Sequence, residues 1–111
     1  MNEKAQKMRV IVDFFIQFQR RPESIIATDV PIIWNFLIGF NTMCDILRPD
    51  IMELYNQNKN EVMLRLGWMP SAGDPTQQMK DKHFSDENIT LEYIRIELET
   101  WQQVLNKLKL K

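Results

Sequence analysis

The side chains able to carry chemistry are few and far apart. His83 is the one histidine and Cys44 the one cysteine. His83 stands between Asp81 and Asp86, with no second histidine or cysteine nearby. A zinc ion there would have to recruit carboxylates alone, an uncommon ligand set. A nucleophilic mechanism needs a nucleophile, a base and a group that orients the base. Cys44 sits in a strongly apolar stretch, where a thiol behaves as a small hydrophobe. Asn56, Asn58 and Asn60 alternate as the first ligands of a calcium loop do. That loop requires Gly at its sixth position and Glu at its twelfth; here they are Glu61 and Gly67, which excludes it. The P-loop, the dinucleotide fingerprint, the H-E-x-x-H pair and paired cysteines are all missing. The sequence therefore assigns no catalytic residue, no metal ligand and no cofactor. An enzyme, or enzyme subunit, centred on His83 and its acids ranks below the readings that follow.

Nucleic-acid binding would need a basic surface. The chain of 111 residues has 14 Lys and Arg against 15 Asp and Glu, a net charge of −1. No general affinity for polyanions follows from that balance. Local patches remain: Lys4, Lys7 and Arg9; Arg20 and Arg21; and Lys107 to Lys111. Acids are interspersed on the same segments, and Arg20 and Arg21 suit the C-terminal dipole of a helix. A helix-turn-helix fails as well. Its turn at Gly39 would break the most apolar stretch, and the segment after Pro49 offers acids and amides rather than Arg or Lys.

The elements that must hold these side chains read as helices. Residues 3–20 form the first. Gln6, Arg9, Asp13, Gln17 and Arg20 recur at spacings of three and four, giving one polar stripe. Met8, Ile11, Val12, Phe15 and Phe18 lie on one side of it, Val10 and Phe14 on the other. The apolar arc is roughly 240°, well above the ~100° of an ordinary surface helix. This helix must therefore touch the core and something else. Pro22 ends it. A connector follows, with Ile25 and Ile26 turned inward.

The stretch Asp29–Leu47 is apolar on nearly every side and reads as a buried central helix. Thr28 or Asp29 caps it, and Pro31 falls in its first turn. Two Asn, a Thr and Asp45 interrupt the run, which argues against a bilayer span. Asn35, Gly39 and Thr42 form a narrow strip at helical spacing, the signature of a close helix contact. Asp50 and Glu53 form a D-x-x-E capping box that opens a third helix. Its middle, NQNKNE at 56–61, reads equally as an exposed turn of helix or as a break. Gly67 ends that helix, with Trp68 placed to pack back on Met63.

The connection 67–85 carries Trp68, Met69, Met79 and Phe84, too many large apolar groups for an idle linker. Asp74-Pro75 with Gln77 marks a short helix over 75–83. These groups fold back on the core or form a docking surface, the first being favoured. Ser85 caps the last helix, which runs to about Leu108. Leu91, Ile94, Leu98, Trp101, Leu105 and Leu108 step 3-4-3-4-3 along it, a heptad seam. Ile89, Tyr93 and Ile96 make a second apolar patch on its far side.

These readings predict one all-α domain over 1–111, a bundle of four main helices plus the short one in the 67–85 connection. A lone cysteine and no visible signal peptide (the chain opens MNEKAQKMR) suit a cytoplasmic protein with no membrane span. Scarce Ala with plentiful Ile, Asn, Lys and Met accompanies AT-rich genomes, including many phages. The first and last helices carry more apolar surface than a monomer of this size covers easily. The expected function is a small non-enzymatic protein–protein interaction module: a regulator, inhibitor or phage accessory protein. It would pair with itself as a homodimer, with a larger protein target, or with both. The interaction residues would be Val10, Phe14, Trp68, Met69, Met79, Phe84, Ile89, Tyr93 and Ile96. Nucleic-acid binding through the local Lys/Arg patches is the alternative.

Overall fold

The last helix, and not the most apolar one, holds the structure together. The computed structural model describes residues 3–21, 30–69 and 75–109. They form five helices: α1 (Glu3–Arg20), α2 (Val30–Leu47), α3 (Pro49–Arg65), α4 (Pro75–Asp81) and α5 (Asp86–Lys109). The fold is all-α, as the periodicity predicts. Among the described residues no helix is long and apolar enough to cross a membrane. The expected cap at Thr28 or Asp29, the inward-turned Ile25 and Ile26, and Asp74 lie outside the described residues.

α5 touches each of the other four helices. Its 24 residues bury both the seam and the second patch. Ile94, Trp101, Leu105 and Leu108 are inside, and so are Ile89, Tyr93 and Ile96. The helix is sandwiched, with α1 along one flank and α3, α2 and α4 against the rest. Two seam positions depart from expectation: Leu98 is only part-buried and Leu91 is exposed. α1 buries Ala5, Met8, Val12, Phe15 and Phe18. Its second apolar side is directed at α2. Phe14 stacks on Phe40 at 6.2 Å between centroids, and Phe18 meets Phe36 edge-on at 5.6 Å. Phe40 in turn meets Trp101 edge-on, and Trp101 packs on Tyr55 at 4.7 Å. One aromatic chain thus ties α1, α2, α5 and α3 together.

α2 is a correction to the sequence reading. It is a peripheral helix. Of its described side chains Leu37 is buried, and Phe36, Phe40 and Cys44 are half-buried. Ile38, Met43, Ile46 and Leu47 face outward, Ile46 with 69% of its surface exposed. α2 packs on α3 and α5 and meets α1 through Phe36 and Phe40, and among the described residues nothing covers its outward side.

α3 runs unbroken through the polar stretch 56–61. The reason is tertiary. Asn58 is fully buried: its amide nitrogen donates to the Leu54 carbonyl at 2.6 Å, and its oxygen accepts from Gln103 of α5 at 2.5 Å. Glu61 accepts from the same Gln103 at 2.8 Å. The helix also begins two residues earlier than the capping box implies. Pro49 takes the first position, where its missing N–H does no harm. Arg48 is the residue before it and makes no side-chain cap bond. Asp50, in the first turn, pairs with Arg48 at 3.3 Å instead of capping.

The far end of α3 stops as predicted. Gly67 has φ +94°. The Trp68 N–H reaches the Met63 carbonyl at 2.8 Å and the Gly67 N–H the Leu64 carbonyl at 3.1 Å, a Schellman pair. α4 ends by the same device. His83 has φ +66°, its N–H donates to Lys80 and the Phe84 N–H to Met79. Ser85 then caps α5, its hydroxyl accepting from the Asn88 N–H at 3.2 Å.

Candidate functional site

Two features of the tertiary structure stand out: a polar cluster buried between α2, α3 and α5, and an uncovered apolar face on α2. The cluster is built on Glu97, 2% exposed in the middle of α5. The Tyr55 hydroxyl donates to its Oε1 at 2.6 Å, and Lys59 Nζ approaches the same oxygen at 3.2 Å. Asn41 of α2 donates to the Tyr55 oxygen at 3.0 Å. Among the described residues, three buried polar side-chain atoms make no hydrogen bond: Glu97 Oε2, Asn41 Oδ1 and Trp101 Nε1. Burial first, and then the charge and hydrogen bond of Glu97, push the Tyr55 hydroxyl well above its ordinary range. Cys44 faces the same region. Burial, helped by the Glu97 charge, raises its thiol as well, which makes it a poor nucleophile. With donors converging on one carboxylate oxygen behind closed walls, the arrangement locks three helices in register.

The sequence reading takes Tyr55 only as an apolar position of the third helix and gives Glu97 no role. One signal was available. Tyr93, Glu97 and Trp101 follow at i, i+4 and i+8, which places an acid inside an apolar stripe. An acid in that position has to find a buried partner.

The nine residues singled out as an interaction surface separate into three groups. Ile89, Tyr93, Ile96, Trp68 and Met79 are buried, a correction to their expected role as a free face. The Tyr93 hydroxyl is hydrogen-bonded to Thr76 of α4. Trp68 donates from Nε1 to Glu92 at 2.8 Å, packs edge-on against half-buried Phe84, and carries Lys82 over its ring at 4.6 Å. The 67–69 and 75–85 segments therefore fold back on α5. Phe14 is half-buried against α2. Only Val10, at 69%, and Met69, at 53%, are exposed, and Gln78 clamps the Met69 backbone through two hydrogen bonds.

His83 is exposed and terminates α4, which accounts for it without chemistry. Among the described residues no group of three His, Cys, Asp or Glu is placed to hold a metal. Arg9 is paired with Asp13 at 3.2 Å, and Lys107 lies 3.9 Å from Glu61. A cleft of about 440 Å³ between α1, α3 and α5 is lined by Ile16, Arg65, Leu98, Glu99 and Gln103. Its Arg65 and Glu99 are bound to each other at 3.0 Å.

The outer face of α2 is different in kind. Ile38, Met43, Ile46 and Leu47 are exposed on it, with Asn35, Gly39 and Thr42 among them. Val10 stands one turn before Phe14, the residue through which α1 meets Phe36 and Phe40 of α2. Four large apolar side chains at this exposure present on the order of 400 Å², the size at which a patch on a monomer is usually functional. Comparison with protein-family models, curated proteins and solved structures gives no match.

Proposed function

We propose that this chain is a small non-enzymatic protein–protein interaction module that docks through the outer face of α2. The observation that carries the reading is the mismatch on that helix. It has the highest apolar content of the five, yet Ile38, Met43, Ile46 and Leu47 point away from the core. Fully covering such side chains is worth roughly 1.5–3 kcal/mol each. A docking partner recovers what the fold leaves exposed. The surface assigned to this role is thus the face of α2, with Val10 of α1 at its margin, in place of the last helix.

Site-specific photo-crosslinking tests the reading. A photoreactive side chain at position 46 is compared with one at position 57, on the exposed polar side of α3. In source cells, position 46 should give a discrete protein adduct and position 57 none. No adduct at 46, or the same adducts from both positions, would remove α2 as a docking face.

A further inference from the structure

We propose that the outer face of α2 is covered by a second copy of this chain, with the two α2 helices packed antiparallel across a two-fold axis that passes the outward face at the level of position 41. This inference rests on the docking role of α2 and adds the identity of the occupant.

The first argument is Gly39. A glycine inside a helix costs roughly 0.5–1 kcal/mol relative to Ala, so it requires a compensating use. Among the described residues it has none: a Cβ added there meets nothing within 4 Å. Its backbone is helical, so no positive φ calls for glycine either. What it provides is a notch in the outward face. Asn35 and Thr42 keep the rim of that notch low, and both are exposed. The strip that reads in sequence as a close helix contact makes no such contact inside the described chain.

The second argument is that the face complements itself. Gly39, Met43 and Ile46 follow at i, i+4 and i+7 and share one side of the helix. A two-fold axis near position 41 brings Met43 of each copy onto Gly39 of the other. One notch and one flexible, polarizable knob per copy are what an isologous interface requires, since the same patch must serve both subunits. Asn35 and Leu47 then close the two ends, so the whole contact falls within the described part of the helix.

Charge and area fit the same occupant. Gly39, Thr42, Met43 and Ile46 carry no charge, and the exposed Asp45 lies at the margin, next to the core-facing side. Nothing on the face selects a partner of opposite sign. The net charge of −1 lets two copies meet with little repulsion. One partner helix covers Met43, Ile46, Gly39 and the rim residues but not both Ile38 and Leu47, which stand on opposite flanks of α2, so the contact is small, of the weak and transient kind. The dimer is therefore a reversible one, with a Kd on the order of micromolar.

Sedimentation equilibrium on the purified full chain, over roughly 1–300 µM, tests the proposal. The wild type should move from 13.3 kDa to twice that mass across the range. Gly39→Gln fills the notch with a good helix former, so it should leave the thermal midpoint of the monomer unchanged or higher. It should still weaken association at least tenfold. Ile46→Lys should do the same at full helicity. A wild type that stays monomeric throughout overturns the proposal, and so does a dimer that neither variant affects. A dimer lost with Ile46→Lys but kept with Gly39→Gln overturns the Gly39–Met43 register. A monomer that nonetheless crosslinks from position 46 to a different protein overturns the second copy as occupant and leaves the docking role of α2 standing.

Discussion

The Tyr55 hydroxyl donates to Glu97 Oε1 at 2.6 Å although 42 residues separate them, and both side chains are shut away from solvent. A hydrogen bond to a buried charge contributes more than a neutral one, and losing one partner leaves the other to bear its desolvation. Tyr55→Phe should therefore destabilise the fold by about 2 kcal/mol in a urea titration, with the m-value unchanged. Adding Glu97→Met to that variant should restore part of the loss, because Lys59 is partly exposed and can turn to water. A Tyr55→Phe variant within about 0.5 kcal/mol of wild type would mean the bond contributes no net stability.

The same pair sets an alkaline limit. The Tyr55 hydroxyl is raised in the folded state, so the fold favours its neutral form. Between the unfolded value near 10 and the raised folded value, the folded state binds more protons than the unfolded one. Stability from this group is thus fully present below about pH 10 and is lost as pH rises toward the folded value. Thermal midpoints measured from pH 8 to 11.5 should fall more steeply for wild type than for Tyr55→Phe. Parallel curves would show that Tyr55 is not the group responsible.

Two helix ends rest on a residue at positive φ, and they should respond in opposite senses. Gly67→Ala forces an L side chain to φ +94° and should cost about 1 kcal/mol. His83 already bears that strain at φ +66°. His83→Gly relieves roughly 1–2 kcal/mol of it and gives back part in unfolded-chain entropy, for a net gain of about 0.5 kcal/mol. Differential scanning calorimetry should place the two variants on either side of the wild type. A destabilised His83→Gly would show that the imidazole makes a contribution beyond ending the helix.

Among the described residues Ser85 is the side chain seen capping the start of a helix, at the entrance to α5. Since α5 touches every other helix, its first turn is needed by the whole fold. Ser85→Ala should lower stability by about 1 kcal/mol, and Ser85→Asp should retain it. Equal losses in both variants would assign the effect to something other than the cap.

The sequence by itself determined where the helices are. Helix limits depend on local signals, such as Gly67 followed by Trp68 and Ser85 ahead of two acids. Each acts over one or two turns, and each is legible without knowing the neighbours. The sequence also specified an all-α chain without a motif for catalysis or metal binding. Tertiary structure decided which helix stands at the centre. Hydropathy gives the apolar surface an element carries, not how many neighbours enclose it. α2 has the most apolar side chains, yet of those described only Leu37 is fully buried, while α5 mixes in Thr90, Glu92, Glu97 and Thr100 and buries all four. Those polar groups are tolerated because partners from distant segments reach some of them: Trp68 meets Glu92, and Tyr55 and Lys59 meet Glu97. The polar run at 56–61 is helix for the same reason, since Gln103 engages Asn58 and Glu61. Pairings between residues 24 to 45 positions apart leave no periodic trace in a chain, and here they decide which apolar face is core and which is left exposed.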